Sequence, residues 1–513
     1  MWVPTHPHAF FIGERKMKKT FLFLSIFLLL ASSCLAAQEI VSERTYNQAV
    51  YDLGDGRKNY QIHAAHIHYK DDRGRFQKID TSLSFDGSAK QWKQSSASYH
   101  CRIPEYADDW FEFYNAYEGA NHTIKARPVC GHVKGEYFKD ADGAVYVLYK
   151  DAFGPDIDLK VYAYWAGLKK IICINKKPAD TSSDLVFEFE MDLPDKIKDK
   201  RNNLWSKGAA LNFKSDVLKI GETGKESYFR DARVWDSAAD KHIVENGELK
   251  GISQSVDIQL YTKGGKTYLR KTISKDILEK AVYPLYTDHP TSYFAGAGDG
   301  WVSATGNWPT IWAQLNGDAL NYTDASSDSV FCTRIQMGVR VICRGFFPFD
   351  TSGLGAGANI QSAAFKIYVN TVYKDEPDYR CVEIVEACQA LPTQLVLSDY
   401  HNATTIRVAS PTDYNTITAG AYFSAALNST GLAFINKIGW TLLALRDQHD
   451  YYGILYSQYN PWHVNGLNTR MSDYSGTSSD PYLDIVASPA GAGESAALLN
   501  GGFNDQLNKG MEQ

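Results

Sequence analysis

Residues 329–350 read SVFCTRIQMGVRVICRGFFPFD, two runs rich in β-branched and aromatic residues on either side of Met337-Gly338. Runs of this kind around a short turn form an antiparallel hairpin. With the turn between Met337 and Gly338, Cys332 and Cys343 fall opposite one another. Opposed positions on neighbouring strands lie within disulfide reach, so the spacing predicts that bond. The second run ends at Asp350-Thr351-Ser352-Gly353, where Asp and Ser side chains suit a turn by bonding nearby backbone N–H groups. In the next run Ala363, Phe365, Ile367 and Val369 fall on one face, as a packed sheet requires.

The same alternation recurs outward along the chain, at 60–69, 144–149, 158–164, 185–191, 255–261 and 482–486. Turn signals separate the runs: Asp55-Gly56, Arg73-Gly74, Asp142-Gly143, Asn246-Gly247 and Gly264-Gly265. Helical periodicity is scarce, and only 274–281 reads as a helical turn or two. Short strands with frequent turns predict an all-β protein of two β-sandwich domains. The boundary is placed at 283–291, YPLYTDHPT, where the charge also changes. Residues 288–513 carry 11 Lys+Arg against 21 Asp+Glu, and only four of the basic residues are lysines. The expected domains are 38–287 and 288–487, followed by a Gly/Ala/Asn-rich tail, 488–513.

The chain's 513 residues, 44% hydrophobic, supply apolar material for more than one core and exclude a disordered chain. A net charge of −6 argues against a nucleic-acid partner. Residues 21–31, FLFLSIFLLLA, follow Lys18-Lys19 and precede small residues, the form of a signal peptide ending near residue 37. Met17 then reads as the start. The apolar run is too short for a membrane span. Ala31-Ser32-Ser33-Cys34 offers lipidation at Cys34 as the alternative. The expectation is a secreted or lipid-anchored protein. The remaining seven cysteines are an odd number and cannot all pair within one chain.

The segments CRGFFPFDTS (343–352), GANIQSAAFKIY (357–368), LSDY (397–400), YNTI (414–417), TGL (430–432), LRD (445–447) and YSGTSSDPYL (474–483) carry a resemblance. In this order they resemble the DNRLRE-type modules of secreted bacterial and phage proteins, although the naming hexapeptide is absent. The similarity covers about 293–487. It implies a jelly-roll-like sandwich akin to carbohydrate-binding modules. The segments 68–83 and 149–159 resemble the sandwich region upstream of such modules in Rhs-like and wall-associated proteins, which implies a structural or display role.

The resemblance also implies a structural calcium ion, with Asp299 and Asp480 as candidate ligands near the first and last strands of the module. Hard cations need several oxygen ligands. Sugar recognition needs exposed aromatic faces with polar groups beside them. Trp308, Trp312, Tyr322, Tyr459 and Trp462 lie in turn-rich segments and are the candidates, with a polysaccharide or cell-surface glycan as partner. Asp71/Asp72, Asp108/Asp109, Asp156/Asp158 and Glu383/Glu386 are acid pairs of the kind glycosidases use. Among the chain's 59 acids, solvated turns and strand faces account for them better. His63, His66 and His68 read as one strand, with His66 and His68 on one face and no third ligand beside them. Arg446 and Asp450 read as an ion pair near a sheet edge. No nucleophile motif is present. The expected function is therefore non-catalytic: binding or adhesion, with a structural envelope or virion protein and a polysaccharide-degrading enzyme as alternatives.

Overall fold

The computed structural model describes residues 37–488 apart from short internal stretches, the longest being 116–121, 140–144, 207–211, 221–226 and 455–463. The expected signal peptide, Cys34, Tyr322, Tyr459, Trp462 and the expected tail from 489 lie outside the described residues. The protein is all-β. Its strands form several antiparallel sheets joined by few short helices. Among the described residues no helix is long and apolar enough to cross a membrane.

The 329–350 region forms the expected hairpin, Ser326–Arg334 against Val339–Asp350. Its register differs from expectation. Cys332 pairs with Ile342 and Phe331 with Cys343, because an odd number of residues joins Arg334 to its partner Arg340. Successive side chains alternate between faces, so a slip of one residue moves a partner to the other side. The opposed placement that the spacing predicts for Cys332 and Cys343 is not the one formed.

Two long strands organise the second half. Val339–Asp350 pairs along one edge with Gly300–Asn307 and along the other first with Ser326–Arg334, then with Trp440–Asp447. Asn359–Lys374 pairs first with Tyr482–Ser488 and then with Val464–Arg470. Its register shifts at Ile360/Ser362 and Val369/Thr371. Such bulges bend a strand and let it change partners. Phe347 and Phe365 stand on strands that are not neighbours, yet their rings lie 5.2 Å apart. The layers therefore face each other in a sandwich-like core. Ala363, Phe365, Ile367 and Val369 all point into it, as their spacing predicts. Burying a side chain such as Phe365 contributes about 2–3 kcal/mol. At the strand end, Asp350 accepts from Ser352 N and Oγ at 3.1 and 2.6 Å, the expected turn.

In the first half, a nine-stranded and a seven-stranded sheet share a core. Phe111 of one and Tyr149 of the other meet edge-on at 5.7 Å. Leu185–Asp192 shows the period of two: Phe187, Phe189 and Met191 are buried, while Glu188 and Glu190 pair with Arg270, Arg127 and Lys266 outside. Gly264 and Gly265 both have positive φ, the two-residue turn that joins Ile258–Lys263 to Lys266–Ile273. The expected helix is Lys275–Lys280, with Ile277 and Leu278 buried.

The sheets do not follow the expected boundary. Leu285–His289, within the stretch 283–291 where the boundary is placed, is a strand between Leu168–Ile174 and Ala232–Asp236. At the other end of the chain, Gln48–Asp52 and Lys58–His63 form a hairpin whose second strand pairs with Tyr482–Ser488. Residues 38–63 thus complete the sheet of the second half. Composition marks where the chain enters that half, but pairing with a strand so distant in sequence leaves no local signal.

Candidate binding site around a short helix

The string LRDQHDYYG, residues 445–453, builds a corner. Asp447 closes the strand Trp440–Asp447 and caps the helix Gln448–Tyr452, accepting from His449 N at 2.9 Å. Gly453 ends the helix at φ 66, a left-handed conformation that glycine adopts without strain. A Cβ there would lie 2.9 Å from the Trp312 ring, so the glycine also lets that indole approach.

Inside the corner, Asp450 is fully buried and takes both guanidiniums in two-pronged pairs. Arg344 donates Nε at 2.9 Å and NH2 at 2.6 Å, and Arg446 donates Nε at 2.8 Å and NH2 at 3.0 Å. Burial opposes the Asp450 charge, but the two guanidiniums outweigh it and hold the carboxyl well below the usual range. Arg344 also donates to Tyr400 O at 2.6 Å and lies over the Tyr400 ring. Arg446 reaches the Ala403 and Thr404 carbonyls. The expected Arg446–Asp450 pair therefore exists but is interior, because Trp440–Asp447 is flanked by strands on both sides. Burial pushes the neighbouring Asp447 carboxyl up, against hydrogen bonds from His449 and Tyr414.

A second pair lies nearer the surface. Arg407 donates to the buried Glu383 at 2.7 and 2.8 Å and to Tyr452 Oη at 2.9 Å. Glu383 holds the guanidinium above its ordinary range. Gln448 also donates to Glu383.

Aromatic rings are attached to both charged groups. Trp312 is 36% exposed, and its Nε1 donates to Asp450 O at 2.6 Å. Trp308 is half-buried, 6.4 Å from Trp312. Tyr452 and Tyr379 are 47% and 43% exposed, with rings 6.0 Å apart. Tyr451 stands 5.1 Å from Tyr452 under the Arg407 guanidinium and donates to Thr405 O. Trp312 and Tyr451 are held by hydrogen bonds they donate and Tyr452 by one it accepts from Arg407, so a ligand finds these three rings pre-positioned.

The structure brings two of the sequence candidates, Trp308 and Trp312, to this corner. Sequence reasoning missed Tyr379, Tyr451 and Tyr452. Asp299 lies elsewhere, buried, with its carboxylate bonded by Ser472 N and Oγ, and burial pushes its pKa up. Asp480 is buried too, and its backbone oxygen accepts from Tyr422. The Asp299 carboxylate is committed to Ser472, far along the chain. Among the described residues no group of three or more His, Cys, Asp or Glu is placed to hold a metal. These two carboxylates do not by themselves make the cage of six or more oxygens that calcium takes.

At least one member of each acid pair is engaged, Glu383 by Arg407 as above. Asp71 bonds Arg73, Arg75 and Gln77 around a turn. Asp108 pairs with His132, Asp156 with Lys176, and Asp158 accepts from Asn175. The histidine run is not a single strand: His63 ends Lys58–His63, and His68 opens His68–Lys70. Neither a scan of protein-family models nor a search of curated proteins finds a match for this chain.

Proposed function

We propose that the second half is a non-catalytic module that binds glycans, or adheres to a glycan-bearing surface, through the aromatic corner at Gln448–Tyr452. The observation that carries this is the partial exposure of Trp312, which bonds the backbone oxygen of the buried Asp450, and of the Tyr379–Tyr452 pair, which Arg407 holds. Large aromatic side chains left partly in water, yet held rigidly, suit stacking on the C–H faces of sugar rings. Arg407, Gln448 and Tyr452 supply polar edges beside them. The resemblance to DNRLRE-type modules points the same way. Export of the chain, through its apolar N-terminal segment or a lipid at Cys34, belongs to this proposal.

The test is a glycan array with the chain from residue 38 onward, followed by calorimetry on each hit. Saturable binding that Trp312→Ala and Tyr452→Ala each weaken at least tenfold supports the proposal. Silence across a broad array transfers preference to a structural role, in which the sandwiches act as spacers.

A further inference from the structure

The segment 63–68 is where the chain leaves the sheet of the second half and starts toward that of the first. Three histidines stand there. His63 closes Lys58–His63, is 8% exposed, and stacks on Tyr482 of the last strand at 5.0 Å. Its Nδ1 is buried with no hydrogen-bond partner. His66 stacks on Tyr46 at 4.9 Å. His68 is fully buried, with Nδ1 2.8 Å from Thr45 O and Nε2 without a hydrogen bond. Around them, Ala64 N donates to Pro481 O, and Asn47 donates to His63 O and Asp350 O. One small region thus ties the N-terminal hairpin to both the last strand and the 339–350 strand.

We propose that His63 and His68 form an acid-sensitive latch that holds the N-terminal hairpin, residues 48–63, against the strand Tyr482–Ser488. A proton on His63 puts charge on a buried ring whose Nδ1 has no hydrogen-bond partner, with His68 as its charged-on-protonation neighbour. Lys366 Nζ and Asp484 pair on the same strand edge, with Lys366 over the Tyr482 ring, so their charges largely cancel there. His68 faces Glu39, Arg44 and Lys78. Glu39 Oε1 lies 3.8 Å from His68 Nε2, but that carboxylate already bonds Arg44 and Lys78. The two carboxylates, Glu39 and Asp484, are already paired, the first with Arg44 and Lys78 and the second with Lys366.

Burial pushes His63 down to about 3 and His68 to about 4. Both are lowered relative to the released state, so the latch is complete above about pH 6.5 and weakens as pH falls toward 4. At pH 5 each of these two rings favours release by roughly thirtyfold. Release uncovers one edge of Tyr482–Ser488, a row of unpaired backbone donors and acceptors open to another strand.

Hydrogen exchange of the full chain at pH 7.5 and 5.0, corrected for the intrinsic amide rate, tests this. Protection across 58–63 and 482–488 should fall at least tenfold more than across 363–369. The His63→Phe/His68→Gln chain keeps a ring on Tyr482 and an amide near Thr45 but cannot charge at either position, and it should lose most of the response. A pH response retained in that double variant overturns the latch. So does a loss of protection in the unaltered chain that is equal in 363–369, or absent from both seams, and this decides the matter even if the variant fails to fold.

Discussion

Asp450→Asn probes the ionic base of the aromatic corner. The substitution keeps size and shape but removes the charge that two buried guanidiniums share. An amide also offers N–H where Arg344 and Arg446 now point donors at carboxylate oxygens. Removing one member of a buried ion pair costs about 3–5 kcal/mol, because the partner stays buried and unpaired. Here two partners are left, so the upper part of that range applies. With a urea slope of about 2 kcal/mol/M, the transition of the second half should move down by about 2 M. The assay is urea unfolding followed by tryptophan emission, since Trp312 bonds the backbone oxygen of the same residue. The unaltered cluster should survive acid: Asp450 is held well below the ordinary carboxylate range, so its contribution is full above about pH 4 and fades only in stronger acid. A shift below about 0.5 M, close to 1 kcal/mol, would refute the reasoning and show that water reaches the site or that the arginines find other acceptors.

Phe365→Ala should cost about 3–5 kcal/mol in the same urea assay, because its ring packs between Phe347 and Phe349 with no exposure. Gly453→Ala should quench or shift Trp312 emission and lower glycan affinity, since the new methyl meets the indole and the left-handed backbone disfavours it. With a maleimide at pH 7.5, exposed Cys388 should label within minutes, whereas buried Cys101, its thiol pushed up to about 12, should label only on unfolding; mass spectrometry of timed samples reads both. Mass analysis of the exported chain should give a start near residue 38, or a lipid on Cys34, and an uncleaved N-terminus would count against export.

The alternation in 363–369 was legible because one buried face imposes a period of two, and Asp350-Thr351-Ser352 was legible because its turn is made by its own side chains. The hairpin register depended on a single residue in the connection, which composition does not reveal. The return of residues 48–63 to the last strand was invisible for the same reason that any distant pairing is: neither strand alone names its neighbour. At the corner, Trp308 and Trp312 stood out because tryptophan is scarce, whereas Tyr379, Tyr451 and Tyr452 were three among 32 tyrosines. The usable signal was Asp447-Gln448-His449-Asp450-Tyr451-Tyr452-Gly453: a capping Asp, a second Asp one turn on, a ring doublet and a terminating glycine. Arg446 and Asp450 were recognisable as a pair, but their burial depends on strands that flank them from elsewhere in the chain.

Asn59 hydrogen-bonds Asp484 although 425 residues separate them. On the ribosome, the hairpin that carries Asn59 emerges long before its partner exists. It must wait, its apolar Val50 and Ile62 uncovered, until residues 482–488 have been made. The pairing of Lys58–His63 with Tyr482–Ser488 therefore cannot precede synthesis of the strands between them, and loss of either partner uncovers the edge of the other.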